Sequence, residues 1–239
     1  MNVTLAIAKR ELAALFVSPT AYLVIGIFAF VTALFFMTVL VPGQPAEMRW
    51  VFIYVVWLLV FIAPAISMRT FSEEFASGSI EMLLTSPVSD AQIVIGKWLG
   101  AFGFYAAMLS PLVVQIVVLF LFARPDYGPI FTGLVGLLLV GGFFLAVGVF
   151  VSAMSDSQLV SFLVTTLITG TLAIGVYSFA TEPSLPEWLR SGLYYVNISE
   201  HYSAFAKGLI DATNVVYFVS ATALFLFLGV KLIESRRWR

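Results

Sequence analysis

The residues best suited to chemistry lie in one hydrophilic segment, residues 69–97. The segment carries three glutamates, Glu73, Glu74 and Glu81, and ends on Lys97. Carboxylates suit charge pairing or general acid–base work. The chain has no cysteine and one histidine, which excludes disulfides, thiol catalysis, Fe–S clusters and His/Cys metal sites. We therefore predict no catalytic, cofactor-binding or metal-binding residue in this chain.

A Gly96-Lys97 pair in this segment raises the question of nucleotide binding. In a P-loop the chain needs a glycine at the position of Ala91 and a Ser or Thr at the position of Trp98, because these residues shape the phosphate loop and bind Mg²⁺. Neither requirement is met. We predict that this chain is not itself an enzyme, and that any ATP and Mg²⁺ it depends on are bound by a partner.

The same segment has the pattern of a short amphipathic helix. Thr70 and Glu73 have capping-box spacing, which predicts a helix start, and Thr85-Ser86-Pro87 predicts its end. An apolar stripe and a polar face run along it: Phe71, Phe75, Gly78 and Met82 on the stripe, Glu74, Ser77 and Glu81 on the face. Ser89 and Gln92 form a second capping pair, which opens the next helix. A solvated interfacial loop is the alternative that the pattern leaves open.

The rest of the chain is strongly apolar. Hydrophobic residues make up 61% of it and charged residues 10%, whereas a soluble domain has about a quarter of its residues charged. The charges leave six uncharged windows, each long enough for the roughly 20-residue helix that crosses a bilayer. We predict an all-α integral membrane protein, one domain over residues 1–239, with six spans: residues 21–41, 50–68, 98–123, 130–154, 158–180 and 212–232.

The windows contain no ionisable residue, and proton- or ion-coupled carriers place such residues at membrane depth. A secondary transporter is therefore disfavoured. The basic residues indicate orientation, because they concentrate in cytoplasmic segments. With the N-terminus inside, eight lie on the inner side and four on the outer side: Lys9, Arg10, Arg69, Lys97, Lys231, Arg236, Arg237 and Arg239, against Arg49, Arg124, Arg190 and Lys207. We predict a cell (inner) membrane protein with both termini cytoplasmic.

Two further segments flank the spans. Residues 1–18 place apolar side chains on one helical stripe before Pro19 ends the pattern, which is typical of a helix lying in the membrane interface. Residues 181–211 form an outer segment that mixes aromatic and charged residues. Serine, threonine and aromatic residues along a path through the spans would suit lipid-like, peptide or glycan cargo.

The amphipathic segment also resembles a known family. The runs Arg69-Thr70-Phe71-Ser72-Glu73-Glu74, Ser77-Gly78-Ser79-Ile80-Glu81-Met82-Leu83-Leu84-Thr85-Ser86-Pro87-Val88-Ser89 and Gln92-Ile93-Val94-Ile95-Gly96-Lys97 look like the signature of ABC-2 type permeases. They are most similar to the permease subunit of gliding-motility-associated ABC transporters. The spans agree with that family in number and order.

The resemblance implies the membrane-spanning permease subunit of an ATP-driven exporter. It implies a cytoplasmic coupling helix between spans 2 and 3, within residues 69–97, seated on a separate ABC ATP-binding subunit. The ATPase-coupling residues would be Phe71, Glu73, Glu74, Phe75, Gly78, Glu81, Met82 and Pro87. It also implies that residues 1–18 form the interfacial helix and that residues 181–211 hold short re-entrant helices.

The resemblance further implies a second permease copy, identical or homologous. Besides these proteins and the lipid bilayer we expect no nucleic-acid partner. Two other functions fit the residues alone: a membrane scaffold or assembly subunit without a substrate, and a facilitator that works without ATP.

Overall fold

The computed structural model describes residues 3–40, 47–80, 88–176 and 185–237. Every regular element in these ranges is helical. We number the α-helices in chain order: α1 (Val3–Val17), α2 (Pro19–Met37), α3 (Arg49–Ser67), α4 (Ser72–Ser77), α5 (Asp90–Met108), α6 (Ser110–Phe122), α7 (Tyr127–Met154), α8 (Gln158–Gly170), α9 (Glu187–Val196), α10 (Ile198–Ala206) and α11 (Ala212–Arg237). A π-helix, Thr171–Gly175, continues α8.

Six helical stretches in the described residues are long and apolar enough to cross a membrane. They are Pro19–Met37, Arg49–Ser77, Asp90–Phe122, Tyr127–Met154, Gln158–Gly175 and Ala212–Arg236. The prediction of an all-helical protein with six spans is confirmed. The last four residues of the predicted fifth span, 177–180, lie outside the described residues.

The helix of the third span begins earlier than the predicted span 98–123. Ser89 caps α5, because its Oγ accepts from the N–H of Gln92 while the Gln92 side chain accepts from the N–H of Ser89. This predicted capping box is confirmed. Lys97 therefore lies on the helix that continues into the third span rather than at the end of a loop. A break at Leu109, just before Pro111, separates α5 from α6.

Helix α7 lies at the centre of the bundle and packs against α3, α5, α8, α10 and α11. It can approach them closely because glycines face its neighbours. A Cβ added at Gly136 would lie 2.8 Å from Phe205 Cβ, and one at Gly133 would overlap the ring of Phe52. Contacts below 3.0 Å are not sustained by real Cβ atoms. These glycines thus serve packing within one subunit.

Helix α1 packs along α5 in the same way. A Cβ at Gly96 would lie 2.9 Å from Ile7 Cβ, and a Cβ at Gly100 would lie 2.6 Å from Glu11 Cβ. The Gly96-x-x-x-Gly100 spacing therefore brings the N-terminal helix against the third span. This contact sets the position of the α1 side chains described below.

Helices α9 and α10 occupy the end of the bundle that lies opposite α4. Here Thr132 Oγ1, near the start of α7, donates to Phe205 O at 2.6 Å, and Asn197 caps α10 by accepting from Ser199 N at 3.0 Å. We call this end the far end. It contains the described part of the predicted outer segment.

Candidate functional site

Helix α4, the described part of the predicted coupling helix, is held by side chains from five other helices. They come from α1, α5, α7, α8 and α11. We define the α4 junction as α4 together with the side chains that bind it, Arg10, Lys97, Ser152, Ser161 and Arg236, and with Glu11, which binds Lys97. Because these side chains stand on helices of four different spans and on α1, a displacement of α4 acts on most of the bundle.

A buried lysine holds one side of the junction. Lys97 Nζ lies 3.0 Å from Glu11 Oε1 and 2.8 Å from Glu74 Oε1, and it donates to Thr70 O at 2.8 Å. Its side chain is only 1% exposed. All three ammonium N–H groups thus have acceptors. Arg10 Nη2 adds a second cation 3.5 Å from the same Glu74 oxygen. A charged ammonium that is removed from water is stabilised only when partners of this kind surround it. The contacts of Lys97 with Glu11 and Glu74 therefore join α5 to α1 and to α4.

Serines hold the start of α4. The first N–H groups of a helix have no partner within it. Here Ser152 Oγ, on α7, accepts from the N–H of Phe71 and of Ser72, both at 3.0 Å, and donates to Met68 O at 3.1 Å. Ser72 Oγ lies 2.7 Å from Ser161 Oγ on α8. The three serines are fully buried. Helix α4 is therefore capped by a side chain from another span.

The predicted Thr70–Glu73 capping box is wrong. The residue before α4 is Phe71, and its side chain makes no capping hydrogen bond. Thr70 instead lies in the turn that continues from α3, with its carbonyl on Lys97. The Glu73 carboxylate accepts from Arg69 Nε at 3.1 Å.

An arginine from the last helix covers the apolar side of α4. The guanidinium carbon of Arg236 lies 4.2 Å from the centre of the Phe75 ring. The same guanidinium donates to Met154 O at 3.0 Å and reaches Asp156 Oδ1 at 3.4 Å. An arginine stacked on an aromatic face gains a cation–π attraction. The end of α11 is thereby joined to α4 and to the α7–α8 connection.

The structure divides the predicted coupling residues into two sets. Phe71 is fully buried and Phe75 partly buried, whereas Glu73 is exposed. Glu74 is turned towards Lys97, so its charge is used within the chain. Gly78 has φ 71 and interrupts the predicted helix after Ser77. The remaining predicted residues, Glu81, Met82 and Pro87, lie outside the described residues.

Sequence reasoning missed five residues of this site, and it counted Lys97 in the cytoplasmic segment before the third span: the missed residues are Arg10, Glu11, Ser152, Ser161 and Arg236. One signal was present for Lys97: the Ser89–Gln92 capping box starts a helix that must carry Lys97 into the span. No local pattern marks Ser152 or Ser161, since a serine inside an apolar helix most often bonds to its own backbone.

An open cleft of about 460 Å³ lies beside the junction. Three basic and three acidic side chains line it: Arg10, Arg69 and Lys97, with Glu11, Glu73 and Glu74. Ser77 stands exposed at its edge. Among the described residues no cluster of His, Asp and Glu could hold a metal ion. The cleft therefore presents charged side chains of both signs beside α4.

Replacing Ser152 by alanine is expected to destabilise α4 selectively. The change leaves two buried N–H groups without an acceptor, at a cost of about 2 kcal/mol. Hydrogen exchange of the amides of residues 71–77 should rise in Ser152→Ala. Ser235→Ala is the matched control, because its exposed hydroxyl bonds only to Leu232 O in its own helix. Equal exchange in both variants would show that Ser152 does not cap α4.

The comparison with known proteins agrees with the architecture. A search of curated proteins finds no match. A family model described as ABC-2 family transporter protein matches residues 54–236. The match includes α4, Lys97, both junction serines and Arg236, and it excludes α1 with Arg10 and Glu11. Since it covers well over half of the 239 residues, the chain belongs to the ABC-2 family of transporter proteins.

Proposed function

We propose that this chain is the membrane-spanning permease subunit of an ATP-driven ABC-2 exporter, and that α4 is the part on which a separate ATPase subunit acts. Membership of the family makes the chain a multi-pass membrane permease subunit and implies an ABC ATP-binding partner in general. The coupling through α4 is the part that we add.

The α4 junction carries this proposal. A force on α4 reaches α1 and α5 through Lys97, α7 and α8 through Ser152 and Ser161, and α11 through Arg236. The contacts of the serines are buried and those of Lys97 with the two carboxylates are partly buried, so water weakens them less than it weakens contacts at the surface. Closure of the ATPase would therefore move the spans together rather than bend a loose loop.

The surface that remains free on α4 suits a basic partner. Glu73, Ala76 and Ser77 are exposed, while Phe71 and Ser72 face the bundle. We propose that Glu73, rather than Glu74, pairs with a basic residue of the ATPase, because Glu74 is held by the buried Lys97, whereas the pair of Glu73 with Arg69 is exposed and can be exchanged. ATP and Mg²⁺ would be bound by the partner.

The remaining parts of the proposal concern the assembly. The α4 end and both termini would be cytoplasmic at the cell (inner) membrane, α1 would lie in the interface, and α9 and α10 would be re-entrant from the outer side. A second permease copy, identical or homologous, would complete the translocation path.

The charge of Glu73 provides the test. In Glu73→Lys, which breaks only an exposed pair with Arg69, we expect about 10-fold weaker binding of the ABC ATP-binding subunit that co-purifies with the wild-type chain. Stimulation of its ATP hydrolysis should fall in parallel. Glu187→Lys, a similar change on exposed α9, is the control. Unchanged assembly and turnover in Glu73→Lys would contradict the proposed docking site.

A further inference from the structure

A second cavity, of about 520 Å³, opens at the far end between α3, the π-helix and α10. We infer that it binds one zwitterionic phospholipid, with the head group at α10 and an acyl chain along α3. The inference concerns binding alone and does not depend on the coupling through α4. Its lining is mainly apolar with a charged edge: Ile53, Val56, Trp57, Ala173, Ile174 and Tyr202, with Glu200 and Lys207.

The apolar wall suits a hydrocarbon chain. Val56 and Ala173 are buried at its base, and the Trp57 indole, 49% exposed, forms an open side. Phe61 lies one turn further along the same face of α3 and is also exposed. An acyl chain that leaves the cavity can follow Trp57 and Phe61 into the bilayer.

The edge of the cavity offers one charge of each sign. Within the described residues neither the Glu200 carboxylate nor the Lys207 ammonium forms an ion pair or a side-chain hydrogen bond. They stand seven residues apart, on one side of α10 and its C-cap. A phosphoethanolamine head group carries the complementary pair: phosphate for Lys207 and ammonium for Glu200. A head group that carries only a negative or only a positive charge would leave either Glu200 or Lys207 without an oppositely charged partner.

The π-helix is an independent sign of function at this cavity. A π-helical turn is rare and occurs frequently at functional sites. This one, Thr171–Gly175, supplies Ala173 and Ile174 to the wall. Ser199 Oγ of α10 donates to Ala173 O at 2.8 Å and so fixes the π-helix against the helix that carries both charges. The wall and the charged edge therefore keep a constant geometry.

Quenching by brominated lipids tests the inference. The purified chain in detergent is titrated with phosphatidylethanolamine that carries brominated acyl chains, and tryptophan fluorescence is followed in the wild type and in Trp57→Phe. We expect saturable quenching that Trp57→Phe largely removes. Glu200→Gln and Lys207→Gln, both exposed positions, should each raise the apparent Kd about 10-fold, whereas Glu187→Gln should leave it unchanged. Melting temperatures confirm that the variants are folded.

The head group and its source are tested separately. Brominated phosphatidylglycerol, which is anionic, should bind about 10-fold more weakly than phosphatidylethanolamine, and soluble phosphoethanolamine at millimolar concentration should not compete. Equal affinity for both lipids, or full competition by the soluble head group, would overturn the assignment to a zwitterionic lipid. Quenching that never saturates, or that neither charge variant changes, would overturn the site itself.

Discussion

Replacing Lys97 by methionine is expected to destabilise the chain by about 3 kcal/mol, because it removes the buried cation that Glu11 and Glu74 share and leaves them only the exposed Arg10. Breaking a buried ion pair by removing one partner typically costs about 3–5 kcal/mol, and the partial exposure of both carboxylates places this case at the lower end. For a chain of this length the melting temperature should fall by about 10 °C, measured in detergent.

Two variants make this result specific. Lys231→Met removes an exposed lysine, paired with Glu234 at 2.7 Å, and should change the melting temperature by no more than about 2 °C. Adding Glu11→Gln and Glu74→Gln to Lys97→Met removes the excess negative charge and should restore most of the loss. Equal melting temperatures of Lys97→Met and Lys231→Met would show that the contacts of Lys97 with Glu11 and Glu74 do not hold α4.

Replacing Gly141 by alanine is expected to have an effect of similar size in the middle of the membrane. The added Cβ would overlap the ring of Tyr105. That ring is fully buried and its hydroxyl donates to Leu137 O at 2.7 Å, so it cannot turn away without losing this bond. Overpacking of a core typically costs about 1–3 kcal/mol. We expect a loss of stability near the upper end of this range, which corresponds to a fall of about 10 °C in the melting temperature.

The matched control is Gly26→Ala in α2, where an added Cβ meets nothing within 4 Å. It should leave stability unchanged or raise it by up to about 1 kcal/mol, since alanine is the better helix former. Tyr105→Leu combined with Gly141→Ala should be more stable than Gly141→Ala alone, because the smaller side chain makes room. Equal stability of Gly141→Ala and Gly26→Ala would show that α5 and α7 do not pack as closely as described.

The spans could be predicted from the sequence because the bilayer imposes a length and a composition that each segment shows by itself. The Ser89–Gln92 cap could be predicted for the same reason: both of its bonds lie within four residues. The interruption after Ser77 was not predicted: Gly78 was placed on the apolar stripe of a continuous helix, and its positive φ ends α4 there.

The contacts that make α4 a functional candidate could not be predicted in this way. Ser152 caps a helix 80 residues earlier in the chain, and Lys97 meets Glu11 across 86 residues. Such partners are set by how the spans pack. Counting charges gave no partner for Lys97, because that rule uses a lysine only to mark the end of a span.

Attachment of a photo-crosslinker at single cysteines tests the central claim most directly. The chain has no native cysteine, so Ser77→Cys on exposed α4 and Ser191→Cys on exposed α9 each give one thiol for a maleimide-linked benzophenone. With the ABC ATP-binding subunit present, photolysis should yield a permease–ATPase adduct from position 77 and none from position 191. An adduct from position 191 with none from position 77 would contradict the account.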